Sequence, residues 1–432
     1  MVLTTTFSPE ASASLGGPAW LRQVRARAVA ELEHCSFPRD DQEIWRYSRI
    51  NEFSLETFSP LTAEELGAPG FEGAPGGGPI AKEAGERSGL VVVRDGRVVH
   101  CELDDSLANA GVTVAGVETI EGGRIESEFG RLTTQSADAF TTLHDAFVAG
   151  GAFIHVPEGV VVDKPIVIVH WCEGIGRASF PHTLILADRS SEVTVVERMS
   201  SPRGAHLVDA AAEVVVGENA SVRFLTVQDH ERDTWHFAHQ RAEVARDGRF
   251  HSAAVALGGD YARLRCEVAL IGERADARQV AVYYGDGTQM LDFRTLQDHQ
   301  APRTTSNLLF KGAVEHVAHS VYSGMIHLRA EAQRSSAHQT NRNLVLTSGA
   351  TAESIPNLEI EANDVQCSHA STVGPIDDDQ LYYLATRGIE PRDAARLIVL
   401  GFFNDVFASL PVPSLVERLR SVVSEKVGRI DS

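Results

Sequence analysis

From residue 154 to residue 374 the chain offers one short extended run after another with no helix between them, and few architectures satisfy that. The runs 212–216, 222–227, 266–271, 279–284 and 319–323 are β-branched or alternating and too short for helices. Polar turns separate them, and glycines punctuate them: Gly217, Gly248, Gly258, Gly259, Gly272, Gly285, Gly287, Gly312, Gly324 and Gly349. Many short strands without intervening helices imply a barrel, a sandwich or a β-solenoid. No residue motif repeats strictly, so periodicity alone leaves the three open.

Helical patterns flank this region. Trp20, Leu21, Val24, Ala28 and Leu32 form an apolar stripe at helical spacing over 19–34, with Pro18 near its start and Phe37-Pro38-Arg39 breaking it. A second helix is expected over 138–148, after a hairpin built on 90–93, Asp95-Gly96 and Val98-Val99. Beyond Gly374, the acids Asp377, Asp378 and Asp379 can cap a helix over 380–386, which ends at Arg387-Gly388. Pro391 opens a longer helix to about 410, and another begins at Ser414. Phe402 and Phe403 are adjacent and cannot both face one core, which predicts a docking face on this tail.

The domain reading is a helical region over 1–58, a linker over 59–88, a mixed hairpin and helix region over 89–150, a β core over 151–374 and a helical domain over 375–432. The linker is rich in Gly, Pro, Ala and Glu around Gly76-Gly77-Gly78-Pro79 and lacks the Lys-Ser/Thr of a phosphate loop. No such loop occurs elsewhere, so any ATP hydrolysis in this system belongs to another subunit.

Charge narrows the partners. Against 39 basic residues stand 59 acidic ones, a formal charge of −20, which repels nucleic acid and anionic membranes. The 5 cysteines are widely spaced without a CxxC pair, which argues against a disulfide framework and fits a reducing cytosol. The first residues lack the basic-then-apolar pattern of a secretory signal, and no apolar run is long enough to cross a membrane, so the expected location is cytoplasmic.

Cys367-Ser368-His369 carries the sharpest chemistry. On a strand, positions i and i+2 share a face, so a thiol and an imidazole stand side by side, a pair suited to zinc, copper(I) or an iron–sulfur centre. Two ligands do not complete a site, so distant parts of the chain or a partner must supply the rest. The plainer alternative is a buried strand cysteine beside a histidine bonded to backbone. His155 reads as a satisfied strand histidine and Cys266 as core. His299, His316, His319, His327 and His338 are dense but read as non-ligands; His316 and His319 would share a face only in a helix, and 314–322 reads as strand. The acids at 377–379 would suit a polysaccharide-active enzyme on a β-solenoid, but no basic cluster flanks them and a cap is simpler. No nucleophile elbow, GxGxxG after a strand or HExxH is present.

Several separated runs in order make the sequence familiar: Glu43-Ile44-Trp45-Arg46-Tyr47, GAFIHVP followed by KPI, QTNRNLVL, PNLEI, DVQCSH and DDDQLYYLATRGI. Together they resemble the SufD family of iron–sulfur cluster assembly, and less closely its paralogue SufB. A departure is Ala370-Ser371-Thr372, where the family carries Gly-Ala-Thr after the histidine. The resemblance implies a mainly β protein: a right-handed β-helix (solenoid) core with N-terminal and C-terminal α-helical domains. It implies a non-catalytic scaffold that pairs with SufB through the β-helix end near Cys367 and His369. Residues 377–410 would dock the SufC ATPase, whose ATP-driven dimerisation twists the pair and exposes buried ligands to a nascent iron–sulfur cluster. His369 falls on the family histidine tied to assembly, and Cys367 on the cysteine beside it. The residues 43–47 otherwise read as a buried aromatic pair anchoring the helical region. A flavin in the complex, a homodimer without SufB, a SufB-like role, a polysaccharide-active enzyme and a homodimeric metal store stay open.

Overall fold

The computed structural model describes residues 4–67, 86–136 and 138–427. Two parallel sheets dominate it. One stacks Ala152–Val156, His182–Ala187, His206–Val216, Thr234–Val244, Tyr261–Leu270, Met290–His299, His319–Leu328 and Thr351–Ile360. The other stacks Ile166–Trp171, Glu192–Ser200, Ser221–Gln228, Arg249–Ala256, Asp276–Gly285, Thr305–Val314, Ser336–Val345 and Gln366–Gly374. The chain alternates between them, so each circuit lays one strand on each sheet, giving a β-solenoid of about 8 turns.

The repeat is written in backbone angles. Partner residues on successive turns are separated by between 26 positions, as from Trp235 to Tyr261, and 32, as from His319 to Thr351. No fixed period could appear in the letters. What recurs is one corner: Ser190, Asn219, Asp247, Arg274, Arg303 and Arg334 all hold positive φ, between 57° and 61°. Each donates its N–H to the next turn, Ser190 to the Glu218 carbonyl at 2.8 Å, Asn219 to Arg246 at 2.9 Å, Asp247 to Glu273 at 3.0 Å, Arg303 to Gln333 at 2.9 Å. A left-handed L-residue costs roughly 1–2 kcal/mol. The stacked hydrogen bonds hold the corner against that cost.

Two glycines expected as turns stand inside strands. Gly312 lies within Thr305–Val314 and Gly324 within His319–Leu328. A Cβ on Gly312 would sit 1.8 Å from the Tyr283 ring, and one on Gly324 2.3 Å from the Tyr322 hydroxyl. They make room for aromatic side chains inside the solenoid, and so the strands run longer than the sequence runs suggested.

A different helical layer packs on the outer face of each sheet and leaves the terminal strands exposed. Ala19–Leu32 and Ala139–Phe147 pack with Trp20, Leu21, Phe140 and Phe147 against Leu184, Phe237 and Tyr261 of the first sheet and against Phe180 beside it. Asp138 caps the second of these helices, accepting from the Phe140 and Thr141 N–H groups. Pro413–Val427 and the segment before it pack Phe403, Phe407, Leu415, Leu419 and Val423 on Val167, Val196, Leu225, Val255 and Val282 of the second sheet. Strands buried on both faces read as apolar runs without alternation, as in His182–Ala187, where every residue is buried.

Of the stretch 59–88, Ser59–Pro60 pairs with Arg177 and Ala178, and Ala63–Gly67 is a short helix. Gly76-Gly77-Gly78-Pro79 lies outside the described residues. The expected helix from Pro391 to about 410 is divided: Pro391–Phe402 ends, and Asn404–Phe407 follows. Phe403 is fully buried, and the half-buried Phe402 lies under the Lys311 ammonium, 4.6 Å from its ring, so neither is a free docking face. Trp45 is buried with the Arg263 guanidinium 3.7 Å from its ring, whereas Tyr47 is 43% exposed at φ 66°, so the expected buried aromatic pair is one residue rather than two.

The two ends of the solenoid differ. At the first, Thr113–Gly116 pairs antiparallel to Ala152–Val156, and the hairpin Gly89–Arg94 with Arg97–Leu103 closes the other sheet. At the last, Thr351–Ile360 and Gln366–Gly374 end their sheets with no further strand among the described residues. No helix among the described residues is long and apolar enough to cross a membrane.

Candidate metal centre

The terminal strand Gln366–Gly374 takes its register from the turn below, where Cys367 faces Ala337, His369 faces Gln339 and Ser371 faces Asn341. Ala337, Gln339 and Asn341 are buried inside the solenoid. In parallel register the side chains of partners share a face, so Cys367 and His369 both stand on the interior side of the last turn, over its open end. Cys367 is half-buried against Ile326, Leu328, Ala332 and Ala337. His369 is exposed. Burial pushes the Cys367 thiol above its ordinary range, so ligation there must displace a proton.

The interior beneath is polar. Tyr322 Oη donates to Gln339 Oε1 at 3.2 Å, Asn341 Nδ2 to Tyr283 Oη at 2.9 Å, and Tyr283 Oη to Asn343 Oδ1 at 2.6 Å. Deeper in, Gln240 Nε2 and Gln279 Nε2 both point at Cys266 Sγ, at 3.2 Å and 3.1 Å, and burial raises that thiol to about 11. Cys266 is therefore a neutral core thiol, as its sequence setting suggested. The cysteines are all free.

The other histidines divide by burial. His155 bonds Asp188 Oδ2 at 2.8 Å and is satisfied. His299 is buried between Thr304 Oγ1 and Ser306 Oγ, both at 2.7 Å, and burial lowers it to about 4. His316 sits in a turn at φ 59°, His319 opens a strand, and His338 Nδ1 meets Ser368 Oγ at 2.6 Å. His327 differs: with Glu359 and Glu361 it forms the one group of three His, Cys, Asp or Glu ligand atoms within 4.8 Å of one another among the described residues. Sequence reading passed over it because His327 lies more than 30 residues from both glutamates and meets them through register; the Glu359-Ile360-Glu361 alternation was the available signal.

Sequence reading also missed the buried pairs on the closed turns. His182 Nε2 lies 3.1 Å from Glu213 Oε2, and Glu213 accepts the N–H groups of Gly130 and Leu132 at 2.6 Å each. His170 Nε2 lies 3.1 Å from Glu197 Oε1. These fasten loops and sheets and touch no open surface. Asp377 caps Asp378–Thr386 by accepting the Asp379 N–H at 2.8 Å, the simpler of its two sequence readings. That helix buries no residue of its own, and Tyr382 and Tyr383 stand 73% and 57% exposed.

Comparison with known proteins adds the chain's relations. Residues 170–402 match the family described as SUF system FeS cluster assembly, SufBD core domain, and residues 87–168 match the SufBD protein N-terminal region. The chain is 34% identical over 300 residues to an iron–sulfur cluster assembly SufBD family protein of Mycobacterium tuberculosis, covering 68% of this chain and 74% of that one. It is 29% identical over 419 residues to the iron–sulfur cluster assembly protein SufD of Bacillus subtilis, covering 95% and 94%. A SufBD family protein of Staphylococcus epidermidis is 24% identical over 449 residues, covering 99% and 94%.

Proposed function

Because this chain belongs to the SufBD family of iron–sulfur cluster assembly proteins, we propose that it is the SufD-like scaffold subunit of such a system, itself without catalytic turnover. Its last turn pairs with a SufB subunit, and Cys367 and His369 offer sulfur and nitrogen to a cluster built at that seam. The observation that carries this reading is the open end. Among the described residues two sheets terminate there with unpaired backbone edges, and the two candidate ligands stand on the same turn with an incomplete donor set. A strand edge is a template for another strand. A partner that adds its own strands there can add the missing ligands.

The cluster is cargo and leaves with the product. Thiolates and imidazoles hold iron in such centres, and the half-buried Cys367 must give up its proton to do so, which an arriving cation favours. The SufC ATPase docks on the helical tail. Tyr382, Tyr383 and the 49% exposed Leu397 support that surface, in place of Phe402 and Phe403. A SufB-like role is the nearest alternative within the family.

The test is anaerobic reconstitution of this chain with SufB and SufC, iron and a sulfide source. His369→Ala should lower cluster yield, read by visible absorption, while leaving the complex intact on size exclusion. Tyr382→Asp with Leu397→Asp should release SufC and leave SufB bound. Undiminished cluster yield with His369→Ala removes the assigned ligand role, and SufC retained by the tail variant moves its docking site elsewhere.

A further inference from the structure

On the outer face of the first sheet, Asp298, His327 and Glu359 are direct register partners on three adjacent strands. Glu361 extends the ladder, its N–H bonding the Leu328 carbonyl at 2.8 Å. Glu359 and Glu361 are two apart and share that outer face. One imidazole nitrogen and two carboxylate oxygens from His327, Glu359 and Glu361 thus lie within 4.8 Å of one another.

The histidine is set between its neighbours. Nε2 lies 3.4 Å from Glu361 Oε1, and Nδ1 faces Asp298 Oδ1 at 3.7 Å on the opposite side. Asp298 is buried and fixed by Arg329 Nε at 2.9 Å, Arg329 Nη2 at 2.8 Å and Gln300 Nε2 at 2.7 Å. A carboxylate behind the ring and open donors in front resemble the arrangement by which proteins orient a ligating imidazole, although at 3.7 Å Asp298 stands beyond hydrogen-bond distance of Nδ1. Arg329 is held by Asp298 and also lies within electrostatic reach of Glu361, so it offsets part of the negative charge that the two glutamates bring to the imidazole.

We propose that His327, Glu359 and Glu361 form a binding site for one divalent first-row transition ion, distinct from Cys367 and His369. Nitrogen and carboxylate donors suit ferrous, manganous, cobaltous or zinc ions and not the soft copper(I). Metal–donor distances of about 2.0–2.2 Å draw donors to within roughly 4 Å of each other. The exposed glutamates reach this by side-chain rotation alone. The ion would join the strand His319–Leu328 to Thr351–Ile360, fastening the last strand of this sheet, which has one neighbour, to the turn beneath it. Acidic residues that merely guard a sheet edge would bind no ion saturably.

The test is titration of the full chain, free of any affinity tag, with Co²⁺ and with Zn²⁺, followed by Co²⁺ visible absorption and by heat. Expected is saturation at one ion per chain, weakened about 10-fold or more in E359Q/E361Q and unchanged in C367A/H369A. The glutamates are exposed, and far-UV circular dichroism verifies that the double variant is folded. No saturable binding below about 1 mM, or equal affinity in E359Q/E361Q, overturns the site. So does loss of binding in C367A/H369A with E359Q/E361Q unaffected. Cluster yield plays no part in this readout, so its failure and that of the assembly reading are separable.

Discussion

The closed turns and the terminal turn follow one backbone plan and differ in what surrounds them. Ile154, Ile168, Ile185 and Val195 lie between two sheets, beneath helical layers, at 0% exposure. Leu358, Ile360 and Val373 occupy the last turn at 37%, 45% and 43%. Position in the stack, more than residue type, decides whether an apolar side chain is core. The closed turns supply stability, and the terminal turn is left with little to lose from carrying ligands.

The largest effect should come from a deletion at matched chemistry. Ile185→Ala should destabilise by about 2–5 kcal/mol in urea unfolding, because it leaves a cavity between close-packed sheets. Leu358→Ala should cost under about 1 kcal/mol, since its site is already partly wet. Equal losses at the two positions would end the distinction.

Acid sharpens it further. Burial lowers His144 and His236 to about 3, below the ordinary value near 6.5. Between those values the unfolded chain binds more protons, so the stability these histidines allow is complete above pH 6.5 and is lost as pH falls toward 3. At pH 5 the loss from His236 is on the order of 2 kcal/mol. His236→Gln should flatten the slope of stability against pH by up to about 1.4 kcal/mol per pH unit. An unchanged slope would show that His236 is not held neutral inside the solenoid.

The smallest effect belongs to the corner. Ser190→Gly removes a side chain from a left-handed position at φ 59° and should change stability by less than about 1 kcal/mol, toward greater stability. The Asn219 Nδ2 bond to Ser190 Oγ at 3.1 Å offsets part of the gain. A loss above that size would mean the corner is held by side chains rather than by its backbone ladder.

The same contrast explains what could be read from the letters. Strand identity and the flanking helices were legible because apolar runs and caps such as Asp138 and Asp377 act locally. The solenoid itself was not, since Ser190, Asn219, Asp247, Arg274, Arg303 and Arg334 share a backbone angle and no single residue type; the family resemblance supplied it. Gly312 and Gly324 misled because room for a ring on another strand looks like a turn in one dimension. Alternation was clean at Leu358-Glu359-Ile360-Glu361, on the open terminal turn, and invisible at His182–Ala187, where both faces are dry. Cys367 and His369 were visible as an i, i+2 pair. His327 with Glu359 and Glu361 was not, because only register joins them.

The unlike termini of the stack govern how far it can grow. Antiparallel strands finish one pole, and Arg97 and Glu102 line the outermost of them with charge. Joining at the bare pole consumes it and presents no second bare pole to a third copy. Union there halts at a pair, whereas a stack bare at both poles would polymerise into fibres.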